Sequence, residues 1–185
     1  RDFANVPAPQ HRDRSRPVRF LFIGSVAPTK GIHHVLEAIS QLPPGEAELT
    51  VVGHLRVSHA KFAQYQDRIT YHPNVPRSEV AQIMAAHDVI VLPSYHEGAP
   101  ISLYEALAAG MGIIQSDRSS LIANDKTGII LDRLDTATLV EAMRVPITDR
   151  DRLAYWRSNA QVEARKYTFA EYRDGIAAFL QDAGI

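Results

Sequence analysis

The sequence contains no cysteine, which removes disulfides, thiol nucleophiles and cysteine-ligated zinc together. That absence fits a reducing compartment such as the cytoplasm. No apolar run approaches the roughly 20 residues of a membrane span, and no apolar signal segment follows Arg1. Surplus positive charge is missing too: 20 Lys and Arg stand against 21 Asp and Glu, so nothing draws the chain to nucleic acid. There is no Gly-x-Ser-x-Gly elbow, no Walker loop and no Gly-x-Gly-x-x-Gly fingerprint. His54 and His59 have ligand-like spacing but lack a convincing third ligand, so no metal site is expected.

What is present is 185 residues, 45% of them hydrophobic, enough for one substantial core. Residues Arg1 to Pro17, rich in Arg, Pro and His, read as a linker or entry segment. Beyond them, short β-branched runs alternate with amphipathic stretches, the pattern of a doubly wound parallel α/β sheet. Strands are expected at 18–24, 48–53, 68–72, 88–93, 112–115 and 128–131. Helices are expected at 31–42, 58–66, 78–86, 100–109, 136–144, 149–166 and 169–181. Trp156, Leu153 and Ala160 form a helical stripe suited to a core. Arg150, Arg152, Arg157, Arg165 and Lys166 are interleaved with acids and read as a solvated face.

Such sheets bind ligands at the carboxyl ends of their strands. The run DVIVLP leads into Ser94-Tyr95-His96-Glu97-Gly98-Ala99-Pro100 and then a helix. Pro100 suits the first helical position, which leaves the Ile101 and Ser102 amides as free donors for an anion. Glu97 and Glu105 would flank that anion. Carboxylates repel phosphate, so their natural partners are diol hydroxyls. Acids are also common near helix starts, and spacing alone leaves the solvated reading open. The loop Gly24-Ser25-Val26-Ala27-Pro28-Thr29-Lys30-Gly31 could bring backbone and the Lys30 charge to an anion, or be a surface turn. His96 reads as a loop residue.

The segment Pro93 to Gly110, PSYHEGAPISLYEALAAG, resembles the donor-binding segment of the family 4 retaining glycosyltransferases (group 1) of GT-B fold. Glu97 and Glu105 match that family's E-x7-E pair. The Lys30-Gly31 pair, ELTVVG, DVIVLPS, KTGIIL and the Tyr167-Thr168-Phe169 region fall in family order, from about Val18 to Leu180. The resemblance implies a Rossmann-like C-terminal half of a GT-B protein. Residues 18–185 would be the donor domain, and residues 1–17 the crossover from a missing N-terminal acceptor domain. It implies transfer from a nucleoside diphosphate sugar, UDP- or GDP-linked, in polysaccharide biosynthesis, with no cofactor and no metal.

By the same resemblance, Glu97 meets the sugar hydroxyls, Glu105 the ribose diol, and Lys30 the diphosphate. Gly24, Ser25, Gly98, Ala99, Pro100, Ile101 and Ser102 line the donor, and Asn74 and Val75 lie beside the base. Glu97 and Lys30 would be the catalytic pair. Ser25 stands where many members carry Arg, a contact worth about 1.5–3 kcal/mol. Ser119-Ser120 replaces a common Gly pair, and the segment Ser116 to Asp125 looks short. Beginning at Arg1, the chain reads as a piece of a longer cytoplasmic protein, whose absent half could attach it to the inner membrane face. Alone it should transfer poorly or not at all. A non-catalytic nucleotide-sugar-binding module is the alternative, and a GT-B-like epimerase is disfavoured by the glutamate motif.

Overall fold

A computed structural model describes residues 14–182, so positions 1–13 of the expected segment 1–17 lie outside the described residues. The short apolar runs become strands β1 (Val18–Ile23), β2 (Ala47–Val52), β3 (Ile69–His72), β4 (Val89–Leu92), β5 (Gly112–Ser116) and β6 (Gly128–Leu131). Between and after them lie helices α1 (Ile32–Gln41), α2 (His59–Ala63), α3 (Arg77–Ala86), α4 (Ile101–Ala108), α5 (Thr136–Thr148), α6 (Arg150–Ala164) and α7 (Phe169–Asp182). Every strand pair is parallel, in the order β3-β2-β1-β4-β5-β6. This is the doubly wound, Rossmann-like sheet that the sequence leads one to expect.

Residues of β4 and β5 are buried along their whole length, because helices cover both faces of the sheet. Each fully buried Val, Leu or Ile contributes about 1.5–3 kcal/mol. Helix α1 turns Ile32, Val35, Leu36 and Ile39 inward at helical spacing and packs against α5. Helix α4 packs against α6, where Trp156 is fully buried. A Cβ added to Gly112 would stand 3.2 Å from the Trp156 ring, so the start of β5 and this indole are in close contact.

Three expectations change. Helix α5 runs on to Thr148, four residues past the expected stop at Arg144, with Pro146 inside it. Proline forgoes one intrahelical hydrogen bond and disfavours helix at Val145. Burial of Met143 and Pro146 outweighs this, and the turn closes with Asp149 N–H donating to the Val145 carbonyl at 2.8 Å. Next, Arg157 is not part of a solvated face. It is 8% exposed and donates to the Gly110 carbonyl at 3.1 Å and to Asp88 at 3.2 Å.

Arg16, assigned to the linker, forks onto the same Asp88 at 2.7 and 2.8 Å, and the Arg19 N–H adds a contact at 3.0 Å. Asp88 is sealed beneath α6, and a buried carboxylate needs cations and donors around it. Burial lowers the Arg157 pKa while Asp88 opposes that shift.

Asp88 marks the amino end of β4. At the opposite, carboxyl edge, the chains leaving β1 and β4 run side by side before entering α1 and α4. That is the point where the strand order reverses, and it forms a crevice.

Candidate functional site

The exit of β1 folds into a 3-10 turn, Pro28–Lys30, ended by Gly31 in the left-handed region at φ 69° and ψ 19°. A Cβ at Gly31 would lie 2.1 Å from the Pro93 carbonyl oxygen, so only glycine lets this loop rest on the exit of β4. Tyr95 N–H donates to the Thr29 carbonyl at 2.9 Å and stitches the two loops together. This contact brings Lys30 Nζ onto Glu97 Oε2 as a direct ion pair. The two side chains are 23% and 20% exposed, so the pair is shielded enough to matter yet open to a ligand.

Beyond β4, Pro93 and Ser94 are buried, Tyr95 to Ala99 come to the surface, and Pro100 is buried again. Pro100 is the N-cap of α4 rather than its first helical residue. Its ψ of 96° is extended, and its carbonyl accepts the Leu103 N–H at 2.9 Å. Ile101 therefore opens the helix. No side chain caps α4, and its first turn carries no acid. The leading amides have no intrahelical acceptor, and the helix dipole places partial positive charge there. Ile101 is 62% exposed, which leaves this end accessible. Glu105, half-buried, stands one turn further along.

The loop after β5 closes the third side. Gln115 is fully buried and organises it: its amide nitrogen donates to Ser119 Oγ at 2.9 Å and the Ser120 carbonyl at 3.0 Å. Its amide oxygen accepts the Ile122 and Ala123 N–H groups at 3.0 and 2.7 Å. Held in this way, the loop reaches the glutamate segment. Glu97 N–H donates to the Arg118 carbonyl at 3.2 Å, and Ser120 N–H and Oγ donate to the Gly98 carbonyl at 3.2 and 2.8 Å. Ser116 Oγ donates to the Ser94 carbonyl at 2.5 Å. Ser119 and Ser120 thus clamp the loop by side-chain hydroxyls.

A second network supports Tyr95. Thr136 Oγ1 donates to Glu37 at 3.3 Å, and His34 Nδ1 lies 2.8 Å from that Thr136 oxygen. The Tyr95 hydroxyl lies 2.8 Å from His34 Nε2. With a neutral imidazole, Nδ1–H donates to Thr136 and Tyr95 O–H donates to Nε2, which satisfies all three contacts. Burial and the neighbouring His33 lower the His34 pKa, against the carboxylates of Asp135 and Glu37. The lowered pKa favours the neutral imidazole, in which the Tyr95 hydroxyl is the donor to Nε2.

Lys30 and Glu97 meet at this crevice, Gly98 to Ser102 lead from Glu97 into the start of α4, Glu105 lies one turn on, and Gly24 and Ser25 are exposed on the β1 exit. Asn74, exposed, and Val75, half-buried, follow β3, which β2 separates from β1. At about 4.8 Å per strand they stand roughly 10 Å along the same edge. Among the described residues, no group of three His, Cys, Asp or Glu could hold a metal ion. No helix among them is long and apolar enough to cross a membrane. Sequence reasoning missed Gln115, His34 and Tyr95. A glutamine inside the buried run GIIQS was a usable signal; for the histidine and tyrosine, 61 residues apart, there was none.

Comparison with known proteins agrees with this fold. The family model described as glycosyl transferases group 1 matches residues 8–163. The D-inositol 3-phosphate glycosyltransferase of Nocardia farcinica is 25% identical over 172 residues, covering 84% of this chain and 38% of that protein. The lipopolysaccharide glucosyltransferase WaaG of Escherichia coli K12 is 29% identical over 152 residues, covering 76% and 40%. The Anabaena protein Alr3699/HepE, solved in complex with UDP-glucose, superposes with a TM-score of 0.76. It is 18% identical over 91% of this chain and 50% of its own, a likeness of fold. The chain thus spans 38% and 40% of the length of the two curated relatives. With most of its length under that family model and its sheet shared with these structures, the chain belongs to the glycosyl transferases group 1 family.

Proposed function

We propose that this chain is the donor half of a retaining glycosyltransferase, which binds a nucleoside diphosphate sugar and presents it to an acceptor held by an N-terminal domain. The observation that carries this reading is the meeting of Lys30 and Glu97 across the β1–β4 crevice, directly before the uncapped start of α4. A diphosphate entering there takes the Lys30 charge and the amides of Ala99, Ile101 and Ser102. That frees the Glu97 carboxylate to accept hydroxyls of the sugar. Glu105 holds the ribose diol, Asn74 and Val75 flank the base, and Gly24, Ser25 and Gly98 let backbone approach closely. Pro100 contributes shape rather than an N–H.

In the transfer step the bond from the sugar's anomeric carbon to the phosphate oxygen breaks, the acceptor oxygen bonds to the same face of that carbon, and the acceptor's hydroxyl proton passes to the departing diphosphate. Charge develops on the leaving diphosphate. Preorganised donors aimed at such a charge are worth about 3–4 kcal/mol apiece. Lys30 and the helix amides supply this, so no metal is required in the proposal. Residues 18–185 form the donor unit, and residues 1–17 form the crossover. The chain alone binds donor weakly and transfers poorly. The whole protein works in the cytoplasm in polysaccharide assembly, free or attached to the inner membrane face through its other half.

The test uses the full-length protein with UDP-, GDP- and ADP-sugars over a broad acceptor panel, and NMR of the product's anomeric signal. Product with the donor's configuration, lost by about 10²-fold or more in Lys30→Ala, is the expected outcome. Inverted product would overturn retention. Firm donor binding without transfer to any acceptor would favour a non-catalytic binding module.

A further inference from the structure

Lys30, paired with Glu97, is the cation that the crevice itself offers a diphosphate. A second cation stands on the neighbouring exit. The chains leaving β1 and β2 keep pairing after the strands end. Gly24 N–H donates to the Val52 carbonyl, Val26 N–H to His54 and Arg56 N–H to Val26, each at 2.9 Å, which makes a parallel bridge between Val26 and Leu55. Gly53 permits this closeness, since a Cβ there would lie 1.8 Å from the Gly24 carbonyl oxygen.

Paired extended segments alternate their side chains. Val26 is buried and Leu55 half-buried, so this pair points inward. Ser25, His54 and Arg56 are exposed, just beyond the carboxyl ends of β1 and β2. Arg56, whose N–H donates to Val26, therefore stands one strand spacing, about 4.8 Å, from the Ser25–Ala27 segment. An arginine side chain spans more than that gap. Among the described residues its guanidinium makes no hydrogen bond or ion pair. By contrast, Arg118 Nε is paired with Asp117 at 3.1 Å.

Resting on the donor reading above, we propose that Arg56 is a phosphate-binding residue of this site, gripping the diphosphate from the β2 side while Lys30 holds it from the β1 side. The planar guanidinium can fork two N–H donors onto one phosphate, a geometry that a lysine lacks. It supplies from the second loop the charge that Ser25 does not bring from the first.

The test compares UDP, GDP and ADP with their phosphate-free nucleosides, by calorimetry on the full-length protein. Arg56→Ala should weaken the preferred diphosphate about tenfold to a hundredfold and leave its nucleoside unchanged. Ser25→Arg placed in the Arg56→Ala background should recover most of the loss, and Arg118→Ala should lose little. Thermal melts of each variant, unchanged from wild type, separate lost contacts from lost folding. Diphosphate affinity untouched by Arg56→Ala, or a loss equal for nucleoside and diphosphate, overturns the assignment of Arg56 alone. A wild-type protein that binds none of the three diphosphates sinks the donor reading and this assignment with it.

Discussion

Gly31→Ala tests whether the contact between the two loops holds the site together. The substitution meets two obstacles. Residue 31 has φ 69°, where a Cβ costs about 1–2 kcal/mol. The new methyl would also stand 2.1 Å from the Pro93 carbonyl oxygen and 3.0 Å from that residue's carbonyl carbon and Cγ. All but Cγ are backbone atoms, so relief requires the β1 and β4 exits to part. Overpacking of this kind costs about 1–3 kcal/mol. The sum is about 2–5 kcal/mol, or roughly 4–20 °C in Tm for a chain of this size.

Gly98→Ala is the matched control. It has no heavy atom within 4 Å of an added Cβ and no positive φ, so it should stay within about 0.5 kcal/mol of wild type. Urea melts with unchanged slopes give both numbers. The reasoning also requires that Gly31→Ala weaken diphosphate binding, because the parted loops separate Lys30 from α4. A Gly31→Ala protein as stable as Gly98→Ala would refute it.

Asp88→Ala should cost about 3–5 kcal/mol in denaturation, because it strands the buried Arg157 and the docked Arg16. Nucleotide affinity should persist, since Asp88 lies at the far end of the sheet; a selective loss of affinity would contradict this polarity. His34 has a folded-state pKa below its ordinary value of about 6.5. Its contribution is therefore complete above pH 6.5 and is lost as pH falls through the folded value. Stability should drop across that acid window in wild type and less steeply in His34→Asn; parallel pH profiles would refute the network. Glu97→Gln removes a carboxylate from beside the phosphates and releases Lys30. UDP affinity should hold or rise, while the extra affinity for the cognate sugar nucleotide over its diphosphate falls on the order of tenfold. An unchanged ratio would show that Glu97 does not hold the sugar.

The strands were legible because both faces of the sheet are covered, so VIVL reads as a continuous apolar run and VRFLFI as a near-continuous one. The loops of interest followed from that topology, and the spacing of Glu97 and Glu105 around a helix start was visible before any coordinates. The ion pair itself was not legible. Lys30 and Glu97 are 67 residues apart, and only the approach of Gly31 to Pro93 brings them together. The same limit hid Arg157, whose acidic neighbours in sequence suggested solvent while its partner Asp88 lies 69 residues away. The end of α5 was set too early, at Arg144, because core packing carries the helix through Pro146 against local propensity.

The central claim, that the crevice between β1 and β4 binds a nucleoside diphosphate sugar, is tested most directly by titrating UDP-, GDP- and ADP-glucose into the isotope-labelled chain and following its amide signals. The account predicts that one of them, added in excess of its weak Kd, shifts Lys30, Glu97, Ile101, Ser102 and Glu105 together. The amides around Asp88 and Arg157, at the opposite edge, should stay still. Shifts confined to residues outside the crevice, or none with any of the three, would contradict it.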